Sequence, residues 1–128
     1  MNTQLKTELT KTELKLLVVE DEALISLDLE CILQDLGHQV LGVAGNVAKA
    51  LALVEQYAQE ADGAVLDVNL GGHSSAPVAD ALHSHGIPFV VASGYEQGEL
   101  ERLGFKEKGV NKPYSSQELA NALQKLER

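Results

Sequence analysis

The chain has 128 residues, 45% of them hydrophobic and 23% charged, with a formal net charge of −9. That is the composition of one globular domain with a real core; it excludes a disordered chain and a binder of phosphate backbones, which needs clustered Lys and Arg. No apolar run reaches the length of a membrane span or forms a signal core at the N-terminus, so the chain reads as cytoplasmic, with neither membrane nor nucleic acid as a partner.

Residues 1–14 are polar, rich in Thr, Lys and Glu, and read as a flexible N-terminal extension; residues 15–128 read as a single domain. The apolar run Lys15-Leu16-Leu17-Val18-Val19 has the look of a strand buried on both faces, and it ends in Glu20-Asp21-Glu22. Helical periodicity follows, with Ile25, Leu29, Ile32, Leu33 and Leu36 on one face and Gly37 placed as a left-handed cap. Cys31 is the only cysteine, which excludes an internal disulfide and a thiolate metal centre; within this helical pattern it is expected to be a small buried or half-buried hydrophobe. Residues 39–44 form a second strand. Asn46 is an N-cap for a helix carrying Val47, Ala50, Leu51, Val54 and Ala58.

The third strand is the stretch Gly63-Ala64-Val65-Leu66-Asp67-Val68-Asn69-Leu70, which breaks at Gly71-Gly72. Ser74-Ser75-Ala76-Pro77 starts a helix, with a capping hydroxyl and proline in the first turn, and the helix runs to Gly86. Residues 87–92 form a fourth strand, with Pro88 tolerable only at its entrance. Residues 95–103 give a poor helix, interrupted by Gly98 and expected to be the least stable element. A short fifth strand lies within residues 105–110. Ser115-Ser116-Gln117-Glu118 is a capping box, and Leu119, Leu123 and Leu126 stripe the last helix. Five strands alternating with five helices define an α/β domain, doubly wound around a parallel sheet.

In such a sheet the ligand site lies beyond the carboxyl ends of the strands. Those ends carry Glu20 and Asp21, Asp67, Ser93, and Asn111-Lys112-Pro113. An unpaired buried carboxylate costs several kcal/mol, so Asp67 belongs at its strand's exit, as a nucleophile, a metal ligand or an Asx-turn residue. Three crowded carboxylates repel one another, a hard divalent cation relieves that repulsion, and oxygen-only ligands suit Mg²⁺. Lys112 adds a cation for a phosphoryl oxygen and Ser93 a hydroxyl. These parts describe phosphoryl transfer onto a carboxylate.

The motifs Leu17-Val18-Val19-Glu20-Asp21-Glu22, Val65-Leu66-Asp67, Ala92-Ser93-Gly94 and Asn111-Lys112-Pro113 occur in order at successive strand ends. The chain thereby resembles the receiver domains of two-component response regulators from about Leu16 to Leu126. The resemblance implies a flavodoxin-like (βα)5 fold with strand order 2-1-3-4-5, and it assigns roles by position. Asp67 matches the phosphorylated aspartate, Asp21 the direct Mg²⁺ ligand, and Glu20 its acidic partner. The backbone carbonyl of Asn69 completes the ligands, Ser93 is the switch hydroxyl, Lys112 contacts the phosphoryl group, and Pro113 follows a cis peptide bond. Gly109 stands where many receivers carry an aromatic switch residue, and Tyr95 is the candidate to replace it. Gly71 stands where a proline is common. The runs Asp67-Val68-Asn69-Leu70-Gly71-Gly72 and Ala92-Ser93-Gly94-Tyr95 are similar to those of stand-alone alphaproteobacterial receivers, with Val91 and Ser93 in place of that group's Phe and Thr.

The resemblance implies a phospho-accepting signalling protein rather than an enzyme acting on other substrates. A histidine kinase or histidine phosphotransfer protein would donate the phosphoryl group, and the receiver, a monomer or phosphorylation-dependent dimer, would then bind a downstream protein or act as a phosphate sink. Two rivals stand beside this reading. A small-molecule phosphatase would want a second acid two residues past its nucleophile, where Asn69 stands. A degenerate, partner-binding receiver has no need of the intact Glu20, Asp21, Asp67, Ser93 and Lys112. For the acidic run at residues 20–22 the alternative role is to complement the dipole of the following helix. His83 and His85, two apart on a helix, do not face one another; they and His38 and His73 read as ordinary surface or partner-face residues.

Overall fold

The computed structural model describes residues 13–93, 105, 109–111 and 115–128. Its elements are β1 (Lys15–Val19), α1 (Ala23–Asp35), β2 (Gln39–Ala44), α2 (Val47–Gln56), β3 (Gly63–Asp67), β4 (Asn69–Leu70), β5 (His73–Ser74), α3 (Ala76–Ser84), β6 (Phe89–Ser93), β7 (Gly109–Asn111) and α4 (Ser116–Gln124). Five strands pair in parallel in the order β2-β1-β3-β6-β7, while β4 and β5 form a separate antiparallel pair. This is the flavodoxin-like α/β arrangement expected from the motifs, with β3 in the middle.

Alternation along the strands builds two cores, because successive side chains point to opposite faces. Leu17, Val19, Ala64, Leu66, Phe89 and Val91 pack on one face with Ala50 and Val54 of α2 and Val78 and Leu82 of α3. Leu16, Val18, Val65, Val90 and Val110 pack on the other with Leu29 and Leu33 of α1 and Leu119 and Leu123 of α4. β3 is buried along its whole length, which is why its sequence runs continuously apolar up to Asp67.

The helix signals read from the sequence appear as bonds. Asn46 Oδ1 accepts the Lys49 N–H at 2.8 Å, and Ser115 Oγ accepts that of Glu118 at 3.3 Å. At the end of α1, Gly37 takes φ +93° while its N–H and that of His38 donate to the Gln34 and Leu33 carbonyls, a Schellman closure. At the start of α3 the hydroxyl that bonds the helix is that of Ser74, whose Oγ accepts the Ala76 N–H at 3.1 Å, while the buried Ser75 hydroxyl donates to the Val68 carbonyl. The last strand is Gly109–Asn111, with Phe105 buried ahead of it. The poor helix anticipated over residues 95–103 lies outside the described residues.

Two single-residue expectations are corrected. Cys31 is exposed, because α1 turns the line of Ser26, Leu29 and Leu33 to the sheet and leaves Leu24, Leu27 and Cys31 outward. His38 is half-buried rather than an ordinary surface residue, and its Nδ1 accepts the Leu14 N–H at 3.0 Å. The packed core takes in Leu14 itself, whose carbonyl accepts the Gln39 N–H. The other histidines differ among themselves. His73 is exposed, the His83 ring lies 5.1 Å from that of Phe89, and His85 Nε2 is 3.6 Å from Glu55 Oε1.

Burial lowers the pKa of His38 from 6.5, against an opposing pull from the charge of Glu13. A folded-state pKa below the unfolded value means the unfolded chain binds more protons. The contribution is therefore complete above the unfolded value and is lost as pH falls through the folded one. Wild type is expected to lose more urea resistance than His38→Asn between about pH 8 and pH 5. Equal losses would contradict this role for His38.

Candidate functional site

The first strand's carboxyl end carries Glu20, whose backbone N–H still bonds the Ala44 carbonyl at 3.0 Å, so the residue remains locked to the sheet. Its side chain is 2% exposed, and Asp67, the last residue of β3, is 5% exposed. Asp21 is exposed beside them. Each of the three offers a carboxylate oxygen, and these oxygens lie within 4.8 Å of one another. Two like charges at that range repel by on the order of 3 kcal/mol at an effective dielectric of 20.

Backbone N–H groups orient all three acids. Glu20 Oε2 accepts from Glu22 at 3.1 Å, Asp67 Oδ1 from Asn69 at 3.2 Å, and Asp21 Oδ2 from Gly71 at 3.0 Å. The Asp67 contact is the Asx-type turn weighed against a functional role, so the residue makes that turn while standing in the acidic cluster. The chain after Asp67 is also pinned, since the Val68 N–H donates to the Ala92 carbonyl at 3.2 Å.

Sequence reasoning did not find the hairpin that follows. Leu70 pairs with His73 and Asn69 with Ser74, leaving a two-residue turn at Gly71-Gly72 with φ +59° and +88°. Positive φ at both positions is the signature of a type I′ turn, and Gly-Gly is one of its sequence signals. That signal was present in the chain; the strand after it was too short and polar to show.

Among the remaining predicted site residues, Ser93 ends β6 one residue past Ala92, the register partner of Asp67, and pairs with Asn111 of β7. The backbone thus brings the ends of β1, β3, β6 and β7 to one rim. Tyr95, Lys112 and Pro113 lie outside the described residues.

The donor set tests the fit of a metal. Three carboxylates, two of them buried, converge with oxygen atoms alone, and that is the chemistry of a hard divalent cation rather than of a thiolate or imidazole metal. Among the described residues no helix is long and apolar enough to cross a membrane.

A central parallel sheet with an acidic cluster at the β1 and β3 exits defines an α/β receiver-type domain, and comparison with known proteins agrees. No family model matches the chain. It is 33% identical over 86 residues, 65% of its length, to the phyllosphere-induced regulator PhyR of Methylorubrum extorquens, of which the match covers 32%. The solution structure of SdrG from Sphingomonas melonis superposes with a TM-score of 0.75 at 39% identity, covering 89% of this chain and 96% of SdrG. The receiver domain of the PhyR response regulator from Erythrobacter litoralis superposes with a TM-score of 0.74 at 25% identity over 87% of each chain. The chain belongs to the receiver domains of two-component response regulators, and among them it is similar to the PhyR and SdrG type. It spans about a third to a half of the length of the curated relatives it matches.

Proposed function

We propose that this receiver domain accepts a phosphoryl group on Asp67 from a histidine kinase or histidine phosphotransfer protein. The observation that carries the reading is the placement of Asp67, buried at the exit of the central strand with Glu20 and Asp21 oxygens within 4.8 Å. Glu20, Asp21, Asp67 and the Asn69 carbonyl would hold Mg²⁺, which when bound neutralises the charge crowded at the rim. The Asn69 N–H fixes the plane of the Asp67 carboxylate. A carboxylate oxygen attacks phosphorus as the P–N bond of the donor phosphohistidine breaks, and the imidazole nitrogen leaves with the electron pair. Water later cleaves the acyl phosphate to the carboxylate and inorganic phosphate. Ser93, Lys112 and Tyr95 are assigned to contact, screen or respond to the phosphoryl group.

Phosphorylation adds about −1.5 to −2 charges at this rim. The added charge would bias a two-state surface beyond Ser93 toward binding a downstream protein, or the protein would serve as a phosphate sink. The BeF3-activated conformation known for SdrG supports a phosphoryl-linked switch in this group.

A protein donor needs a landing surface. Leu24 and Leu27, 82% and 58% exposed, stand one helical turn apart on α1, directly after the acidic pair. The test is phosphoryl uptake by wild type and by Leu24→Asp/Leu27→Asp, from an autophosphorylated histidine kinase and from a small phosphodonor. The double variant is expected to accept from the kinase about tenfold more slowly, the scale of losing an interface anchor, and from the small donor at the wild-type rate. Equal kinase rates would refute donor docking on α1. No uptake by wild type from either source would refute the function.

A further inference from the structure

We infer that the backbone N–H of Gly71 is a positioning group for the cation, presenting Asp21 to Glu20 and Asp67. This rests on the metal-dependent reading above and extends it to a residue with no side chain. Asp21 is the exposed member of the cluster, and an exposed carboxylate on a helix-entry loop rotates freely unless something holds it. Across 50 residues of sequence, the Gly71 N–H bonds its Oδ2 at 3.0 Å. Such a bond to a charged acceptor is about twice as strong as a neutral one, and it leaves a carboxylate able to offer its second oxygen.

The hairpin fixes that donor in space. Its turn closes through positive φ at Gly71 and Gly72, and the Gly72 N–H donates to Asn69 Oδ1 at 2.8 Å. Its far end is tied down where the Ser75 N–H and hydroxyl both donate to the Val68 carbonyl at 3.0 Å. The hairpin of residues 69–74 thus ties the chain leaving the Asp67 strand to the Asp21 carboxylate, so the turn couples two of the three acids. Groups that orient a metal ligand typically change affinity 10–100-fold when removed.

The experiment is a calorimetric titration with Mg²⁺ alone, without phosphodonor, of wild type, of a protein ligated with an ester in place of the Gly71 amide, and of Gly71→Asn, with thermal melts of each. The ester has no N–H to give and leaves positive φ open, which proline would not. Asn keeps the N–H, tolerates left-handed φ, and its Cβ would meet Asp21 Oδ2 at 3.8 Å, an ordinary contact. The ester protein is expected to bind Mg²⁺ at least ~10-fold more weakly, with Gly71→Asn close to wild type. Wild-type affinity in the ester protein, or equal weakening in both variants, would overturn the inference while leaving the metal site standing. Absence of Mg²⁺ binding by wild type would overturn the site and the inference together. If the ester protein does not fold, the Gly71 amide resonance of the wild type decides. Asp21→Ala should shift it and leave that of Gly72 in place; an unmoved Gly71 resonance overturns the inference.

Discussion

Asp67→Ala is expected to reduce phosphoryl uptake from a small phosphodonor to background, and chelation of Mg²⁺ is expected to do the same to wild type. The effect is all or none because a phosphoryl group needs a nucleophile at one place, and Asp67 is the acid at the end of the central strand. Glu20 and Asp21 approach it closely, but each is held by an N–H from a different segment, Glu22 and Gly71, and neither lies on β3. Substitution of either is therefore expected to weaken metal binding rather than relocate the phosphate. Intact mass after incubation with donor reads the outcome, and uptake retained by Asp67→Ala would show that another residue accepts.

Leu66→Ala, one residue away, is expected to lower the unfolding free energy by about 2–5 kcal/mol, the range for truncating a fully buried leucine. Leu66 has no exposed surface. Its neighbours across the sheet are Val19 and Val91, and it lies in the core shared with α2 and α3. Collapse into the cavity is hindered on both sides by those strands, so the upper half of the range is expected. With a total stability of roughly 5–15 kcal/mol for a domain of this kind, the loss is readable as a clear drop in urea midpoint. Leu66→Met, which conserves volume, should cost less than about 1.5 kcal/mol. A loss below about 1 kcal/mol in Leu66→Ala would mean that the face of β3 toward α2 and α3 is less tightly packed than the strand register requires.

The fold was legible because buried parallel strands write continuous apolar runs: Leu16 to Val19 and Ala64 to Leu66 leave no other reading. The acidic cluster was legible for a different reason. A carboxylate at the end of an apolar run is costly, and two such runs ended in acids. The face of α1 was legible as well, with Leu29 and Leu33 in the core and Ile32 and Leu36 packed against it. Cys31 alone was misplaced on this helix, because it continues the outward line of Leu24 and Leu27 rather than the buried one. The β4–β5 hairpin was hidden because two-residue strands carry no periodicity, so only Gly71-Gly72 announced it. Which of Ser74 and Ser75 bonds the start of α3 was not legible, because the Val68 carbonyl that takes the Ser75 hydroxyl lies seven residues away. The role of His38 needed a tertiary fact, the approach of Leu14 to the start of β2.

Whether Asp67 is the phosphoryl acceptor of a metal-dependent receiver is decided by peptide-level mass spectrometry after incubation with a small phosphodonor, with and without Mg²⁺, reducing the acyl phosphate to homoserine to mark its position. A single mark at Asp67 that disappears on chelation is the expected result. A mark at any other residue, or one of equal intensity without Mg²⁺, would contradict it.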